Sequence, residues 1–253
     1  MISIVMSYYN RISQLRFTLK SIQTYSPKNL EIVIVDDHSS AEHSLDNLKN
    51  EFKSLNLKII KMQDLFSKKH YVNPSIPYNI GFKNSTGNKI IIQNPECSHV
   101  GNIPLYVEEN LTDDNYLSFH CYACGKTELK ELHQTNYLDL TKGTGRWYNH
   151  KVHRPLSFHF TTAITRKNLI ELNGFDERYA TGYNYDDAEF VERIKLKNLR
   201  IDFVASPYVI HQHHGKLYNK NPLNSEQLQN NEIFHAENIK NLSIRAPNKD
   251  QLL

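Results

Sequence analysis

The chain carries its most decisive stretch at Asn173-Gly174-Phe175-Asp176-Glu177-Arg178-Tyr179, followed shortly by Tyr185-Asp186-Asp187-Ala188-Glu189-Phe190. A turn built on Gly and Asp here precedes three carboxylates within four positions, at the start of an amphipathic segment. Carboxylates this close repel each other and raise each other's pKa, so burying them is costly. The pattern therefore indicates side chains that act on a cation, a hydroxyl group or a proton.

The composition is that of one folded domain with a small appendage. The chain has 253 residues, of which 39% are hydrophobic and 23% charged, so a substantial core is expected and wholesale disorder is not. Its net charge of +3 and its pI near 8.6 are too mild to indicate a nucleic-acid partner. They are compatible with a pocket that holds an anionic ligand.

The three cysteines do not form the pattern of a secreted disulfide framework. The pair Cys121-x-x-Cys124 leaves open a zinc or redox site, or two small residues at a strand end, and no second pair stands at matching spacing. The apolar start, residues 1–7, is short and has no basic leader, which favours a buried strand. We expect a cytoplasmic protein without a transmembrane segment, with peripheral membrane association left open.

Residues 1–100 alternate between strand and helix patterns. Apolar runs predict strands over residues 2–6, 31–35, 57–61 and 89–93. Helical spacing predicts helices over residues 12–22 and 77–86. Such a series implies a parallel sheet with right-handed crossovers.

Polar side chains follow three of these predicted strands. Residues 7–10 come after the first, Asp36 and Asp37 after the second, and Asn94-Pro95-Glu96 after the fourth. Ligands of open α/β sheets bind beyond the carboxyl ends of the strands. The sequence therefore predicts a binding crevice at this edge.

The second half is less regular. It predicts strands over residues 116–122, 159–165, 200–204 and 208–210, and helices over 166–172, 186–199 and 225–241, with a loose tail after 247. We expect Asp186 to cap the 186–199 helix, with Glu189 completing a capping box. A long aromatic loop, residues 142–155, contains the only tryptophan, Trp147, and its composition is typical of a functional loop.

Four short motifs occur in a characteristic order. They are Ile4-Val5-Met6-Ser7-Tyr8-Tyr9-Asn10-Arg11, Val33-Ile34-Val35-Asp36-Asp37-His38-Ser39, Asn79-Ile80-Gly81 with Thr86-Gly87, and the Gly-Phe-Asp-Glu segment. Together they resemble family 2 glycosyltransferases over residues 1 to about 214. The resemblance implies an α/β GT-A fold with a Rossmann-like, mostly parallel central sheet flanked by helices. It implies a catalytic domain over 1–214, with a nucleotide-binding half (1–100) and an acceptor-binding half (101–214), before a C-terminal helix and tail (215–253).

The resemblance also implies a nucleoside diphosphate-sugar donor, for which we expect UDP. It assigns nucleotide contacts to six residues: Ser7, Tyr9, Asn10, Asp36, Asp37 and Asn79. A carboxylate only accepts hydrogen bonds, which suits the ring N–H of a base, and Tyr9 offers a face for stacking. The alternative is that the two aspartates form a turn and a helix cap.

Asn94-Pro95-Glu96 stands where the family usually has Asp-x-Asp, so the first acid is missing. Asn94 and Glu96 are expected at the donor diphosphate, and Glu96 with His211 and His213 at a divalent cation. Alternate strand residues share a face, so His214 is expected to point away. Imidazole ligands favour Mn²⁺ over Mg²⁺. A metal-independent or inactive enzyme, and a hydrogen-bonded histidine cluster, remain the alternatives.

On the acceptor side, the resemblance implies that Asp187 is the general base and that Asp186 holds the acceptor. Trp147 and Tyr148, together with His150 and Arg154, are expected to form a platform for a sugar ring. The alternative is that Trp147 anchors the core.

The resemblance therefore implies transfer of a sugar, with inversion, to a hydroxyl group of a glycan-type, lipid-linked or protein-linked acceptor. A non-catalytic glycan- or nucleotide-binding protein of the same fold is one alternative. A sugar-1-phosphate nucleotidyltransferase is another, although the segment 7–11 lacks the glycine that its triphosphate loop needs.

Overall fold

The computed structural model describes residues 1–25, 28–136, 138–140, 146–215, 223 and 225–249. In this part of the chain the strands are β1 (Ile2–Tyr8), β2 (Leu30–Asp36), β3 (Leu57–Lys61), β4 (Lys89–Gln93), β5 (Cys97–Val100), β6 (Asn115–Ala123), β7 (Arg146–Asn149), β8 (Thr161–Thr165) and β9 (Arg200–His211). The helices are α1 (Ile12–Gln23), α2 (Leu48–Glu51), α3 (Met62–Leu65), α4 (Ser75–Asn84), α5 (Ile103–Asn110), α6 (Lys126–Thr135), α7 (Arg166–Leu172), α8 (Asp186–Leu196) and α9 (Asn231–Asn238).

All nine of these strands join one sheet, in the order β3-β2-β1-β4-β8-β6-β9-β5, with β7 paired to β6. Strands β1 to β4 run parallel, whereas β8 is antiparallel to both of its neighbours, β4 and β6. Strand β9 is parallel to β6, and β5 and β7 are antiparallel additions. The first half is thus a parallel sheet, and the second half extends it as a mixed sheet.

Two apolar layers cover the central strands because their side chains alternate between the faces. Ile4 and Ile32 pack with Leu15 and Leu19 of α1 on one face. Val5 and Val33 face the other side, against α4. At Gly81 a Cβ atom would collide with Val5, so glycine lets α4 approach β1 closely.

The predicted strands of the first half are confirmed, and that at 89–93 has the predicted bounds. Helix α4 begins and ends two residues earlier than predicted. In the second half, the predicted strands 200–204 and 208–210 are parts of the single strand β9. The C-terminal helix α9 is shorter than predicted and continues only as a 3₁₀ turn, Ile239–Asn241.

The predicted loop 142–155 is only partly described, because residues 141–145 lie outside the described ranges. Its remainder is not an open loop: β7 pairs with β6, and a bridge joins His150 to Arg154. No helix within the described ranges is long and apolar enough to cross a membrane.

Candidate active site

The ends of β1 and β2 are joined by side-chain hydrogen bonds. Asn10 has a left-handed φ of 50°. Its side-chain Oδ1 accepts a hydrogen bond from the Ser40 backbone N–H at 2.8 Å, and its own backbone N–H donates to the Ser39 hydroxyl at 3.0 Å. Asp36 accepts from the Ser39 amide at 3.0 Å. Burial raises the pKa of Asp36, against the lowering effect of Ser39. Asp36 therefore stabilises the turn after β2, which is the alternative to nucleotide binding that the sequence left open.

Asp37 is the carboxylate that lies beyond the end of β2, next to Tyr9. It is 4% exposed and accepts from the Tyr71 hydroxyl at 2.6 Å and from Lys69 Nζ at 2.5 Å. The same ammonium lies 4.8 Å from the centre of the Tyr9 ring. A carboxylate, a cation and an aromatic face thus meet at one point. The Lys69 side chain is itself mostly enclosed, at 16% exposure.

The remaining two nucleotide candidates differ in environment. Ser7 is half-buried within β1, opposite Val35 of β2. Asn79 is buried on α4, and its amide exchanges hydrogen bonds of 2.9 Å with the backbone N–H and carbonyl of Phe175 and donates to Glu177. We expected Asn79 to contact the nucleotide; instead its amide groups hold the Gly-Phe-Asp-Glu turn.

Glu96 is the centre of a compact charged cluster beyond β4. This carboxylate is 2% exposed, and its Oε1 lies 2.7 Å from Arg11 Nη1, 3.2 Å from His211 Nε2 and 3.4 Å from His214 Nε2. Burial alone would raise its pKa, but Arg11 and the two histidines hold it well below the ordinary value. Its second oxygen, Oε2, is buried without a hydrogen-bond partner.

The two histidines at the cluster are not the pair that strand alternation predicts. His211 and His214 face Glu96, whereas His213 is exposed. The reason is that β9 ends at His211, so the period of two no longer applies beyond it. Gln212 is buried against α1 and Glu96, where its amide donates to the backbone carbonyls of Gln14 and Glu96 at 3.0 and 3.1 Å.

Asn94 lies beside this cluster and contacts a buried tyrosine. The Tyr78 hydroxyl is 3.0 Å from both Asn94 Oδ1 and the Gln93 carbonyl. Burial, with Glu96 and Asp186 nearby, raises the pKa of Tyr78 far above the ordinary value. Tyr78 therefore lies between the Glu96 cluster and the acidic start of α8, and it stays neutral.

Helix α8 begins with the two acidic residues singled out above. Asp186 is buried and accepts from Asn73 Nδ2 at 2.8 Å. Asp187 is less enclosed, and its Oδ1 accepts from the Ala188 amide at 2.9 Å. Burial, together with the Asp186 carboxylate, raises the pKa of Asp187 to about 8. Such a carboxyl group exchanges its proton near neutral pH, as general acid–base chemistry requires.

The predicted capping box of this helix is wrong. Tyr185 occupies the cap position, and Asp186 is already the first helical residue. Glu189 instead forms a buried ion pair with Arg193, at 2.6 Å. Arg193 also donates to the carbonyls of Leu172 and Gly174 at 2.7 and 2.8 Å. This pair therefore ties α8 to the Gly-Phe-Asp-Glu turn, where Gly174 has a φ of 68°.

Tyr148 connects the Glu96 cluster with the acidic start of α8. Its ring centre lies 4.8 Å from that of His211, and the Arg154 guanidinium lies 5.6 Å from it. Arg154 is also a positive charge that lowers the pKa of Asp187 against burial. His211, Tyr148 and Arg154 thus link the Glu96 cluster to Asp187, by ring contacts up to Arg154 and by electrostatic attraction from Arg154 to Asp187.

Trp147 does not share a surface with Tyr148. As its neighbour in β7, it faces the other side of the sheet, with ring centres 5.4 Å from Tyr122, 5.6 Å from His120 and 4.5 Å from His150. The expected platform is therefore divided: Tyr148 and Arg154 lie at the site, and Trp147 and His150 pack in a separate aromatic cluster.

Sequence reasoning missed Arg11, Asn73 and Tyr78 as site residues. Arg11 is the last residue of the first motif, and that was its only signal. Tyr78 lies in the predicted helix 77–86, directly before the Asn79-Ile80-Gly81 motif, and Asn73 stands in a segment without any recognisable pattern. Among the described residues, the group whose ligand atoms lie within 4.8 Å of one another is Glu96, His211 and His214. Cys121 and Cys124 are free and buried and belong to no such group.

Comparison with known proteins bears on this arrangement. The model of the family described as "Glycosyl transferase family 2" matches residues 3–168. A second, described as "N-terminal domain of galactosyltransferase", matches residues 149–215. A comparison with the sequences of curated proteins gives no match.

Solved structures share the fold at low sequence identity. TarS 1–349 of S. aureus in complex with UDP-GlcNAc is 16% identical, with a TM-score of 0.64 over 96% of this chain and 68% of that one. The mannosyltransferase PcManGT of Pyrobaculum calidifontis, in complex with GDP-Man and Mn²⁺, is 14% identical, with a TM-score of 0.55 over 83% of this chain. The chain spans 56% of that enzyme's length and 36% of a longer TarS chain.

The first family match covers well over half of the residues and includes the three strand ends that carry Tyr9, Asp37 and Glu96. The second covers Asp187 and His211. The predicted GT-A fold is confirmed by the shared architecture, and the chain belongs to glycosyl transferase family 2.

Proposed function

We propose that this protein transfers a sugar from a nucleoside diphosphate-sugar to a hydroxyl acceptor with inversion, with Asp187 as the general base. The observation that carries the proposal is the position of Asp187 in the first turn of α8, next to the buried Asp186, where its Oδ1 is held by the Ala188 amide and its pKa is raised to about 8. TarS and PcManGT, which share the fold, bind UDP-GlcNAc and GDP-Man respectively, which supports the class of donor.

On the acceptor side, Asp187 takes the hydroxyl proton as the new bond forms at the anomeric carbon. Its Oδ1 is engaged by the Ala188 amide, so Oδ2 is the atom that receives the proton. Asp186 is fixed by Asn73 and orients a second acceptor hydroxyl. Tyr148 offers a ring face for the acceptor sugar and Arg154 a positive charge beside it.

On the donor side, Asp37 and Tyr9 bind the base. The carboxylate accepts a ring N–H of the base, and the tyrosine ring supplies a stacking face. Lys69 and Tyr71 fix the carboxylate orientation in advance, which reduces the ordering required on binding. We expect UDP, whose uracil presents such an N–H.

The residues around Glu96 fit a divalent cation. Glu96 Oε1 lies 3.2 and 3.4 Å from the ring nitrogens of His211 and His214, and the second oxygen of the same carboxylate, Oε2, is buried without a hydrogen-bond partner. One oxygen and two imidazole ligands favour Mn²⁺ over Mg²⁺. The ion, when bound, would neutralise charge that develops on the leaving diphosphate. Arg11 contributes a second positive charge at the same place, and Asn94 only a neutral amide.

The test is direct. Purified protein is incubated with UDP-, GDP- and dTDP-sugars, Mn²⁺ and a panel of glycan acceptors, and release of the nucleoside diphosphate is followed. We expect release with one donor class and a product whose anomeric configuration, measured by NMR, is inverted. Binding of a donor without release under any condition would show a non-catalytic binding protein, and retention of configuration would refute Asp187 as the base of a single displacement.

A further inference from the structure

The turn in front of α8 has an unusual backbone. Asn184 and Tyr185 are consecutive residues with left-handed φ angles of 59° and 70°. Neither is glycine, and tyrosine rarely adopts this conformation, so the surrounding structure must hold the turn in place. Asp186 and Asp187 follow immediately, and the direction of their side chains depends on this turn.

Asn231, the first residue of α9, holds the turn from outside. It is 2% exposed, and its Nδ2 donates to the carbonyl of Asn184 at 2.8 Å and to that of Tyr179 at 3.1 Å. Its Oδ1 accepts from Gln229 Nε2 at 2.8 Å, so the orientation of the amide is fixed. A Cβ atom on Gly182 would collide with Asn231, so the loop is fitted to this side chain.

His235, one turn further along α9, packs on the same loop. Its Nδ1 is 2.9 Å from the Tyr179 hydroxyl, and its ring centre is 5.1 Å from that of Tyr185. The aromatic ring of the left-handed residue therefore has a fixed neighbour. Asn231 and His235 of α9 therefore both contact residues 179–185, the segment that leads into Asp187.

Asn248 holds the other end of the segment. Its Oδ1 accepts from the Glu177 amide at 2.9 Å, and its Nδ2 donates to the carbonyls of Asn173 and Phe175 at 2.8 Å. The acceptor segment, residues 173–185, is thus bound at both ends by residues that follow it in the chain. Asn231, His235 and Asn248 all lie beyond residue 215, where the second family match ends.

We propose that Asn231, supported by His235 and Asn248, is a positioning residue of the transfer reaction that fixes the Asn184–Tyr185 turn so that Asp187 faces the acceptor hydroxyl. This inference rests on the proposed function. Its physical basis is that a displacement of about 1 Å at a reacting group can lower the rate by about 10²-fold.

The test compares Asn231→Asp with Asn230→Ala. The first change keeps the size of the side chain and removes both donated hydrogen bonds. The second removes the N-cap of the same helix, which accepts from the Glu232 and Ile233 amides, without touching the turn. We expect kcat to fall by about 10- to 100-fold in Asn231→Asp relative to Asn230→Ala, with the Kd for UDP unchanged.

Two results would overturn the inference: a kcat of Asn231→Asp equal to that of the control, or a loss of UDP affinity in parallel with kcat. If Asn231→Asp fails to fold, His235→Phe decides instead, since it keeps a ring against Tyr185 and loses the bond to Tyr179; we expect a fall in kcat of about threefold or more. Failure of the proposed function is recognised separately, as full transfer by Asp187→Asn. In that case the positioning of Asp187 falls together with its role as base, whereas impaired transfer by Asp187→Asn with an unchanged kcat of Asn231→Asp would overturn the positioning inference alone.

Discussion

Replacement of Asp187 by asparagine separates catalysis from stability. The change keeps the size of the side chain and an oxygen for the Ala188 amide, and it removes the group that takes the proton. We expect transfer to fall by about 10²–10⁴-fold, the usual contribution of a general base. Donor affinity should be retained, because Asp37 and Glu96 are untouched.

The same variant should be more stable than the wild type at high pH. Folding raises the pKa of Asp187 from 3.8 to about 8, so between these values the folded protein holds a proton that the unfolded chain has lost. Stability of the wild type therefore falls as the pH rises through this window. A shift of about four units corresponds to at most about 5–6 kcal/mol. Because the carboxyl is partly exposed and Arg154 lies near, we expect roughly 2 kcal/mol.

Thermal unfolding measures the effect. Above pH 8 the variant should melt about 4–8 °C higher than the wild type, and the difference should shrink steadily as the pH falls toward 4. Asp64→Asn, at an exposed carboxylate, is the matched control and should show no such trend. Equal melting temperatures at pH 9 would refute the raised pKa, and near-wild-type transfer would refute the role of Asp187 as base.

Three further changes test other parts of the site. Asp37→Ala should weaken UDP binding by about 1–3 kcal/mol in calorimetry, the scale of a charge-assisted hydrogen bond, and unchanged affinity would leave Asp37 a turn residue. Glu96→Gln should lower nucleotide-dependent Mn²⁺ binding at least about tenfold. Asn94→Asp should raise the affinity for Mn²⁺ in the absence of nucleotide. Full transfer activity in excess EDTA would contradict the metal site. Arg193→Met should cost about 3–5 kcal/mol in urea unfolding, because it leaves Glu189 charged and unpaired, and a smaller loss in the double variant with Glu189→Gln would locate the cost in that charge.

Local pattern was sufficient for much of the fold. The runs at 2–6, 31–35 and 89–93 are mostly apolar and almost wholly buried, as expected of strands covered on both faces. Their parallel order then places Tyr9, Asp37 and Glu96 at one edge of the sheet, as the sequence predicted. The acidic start of α8 was likewise visible as a pattern of residue types.

Local pattern failed where an element ended or a side chain had a distant partner. His214 rather than His213 faces Glu96 because β9 ends at His211. Glu189 pairs with Arg193 rather than capping its helix, because Arg193 also reaches the carbonyls that end α7.

The sequence by itself determined the family, the sheet, and the residue types gathered at its carboxyl edge, since these depend on hydrophobic periodicity and short motifs. Only the tertiary structure decided which of those side chains meet: Arg11 with Glu96, Lys69 with Asp37, and Asn231 with the turn before Asp187. These contacts join residues far apart in the chain. Their geometry depends on how whole elements pack, which no local spacing of residues encodes.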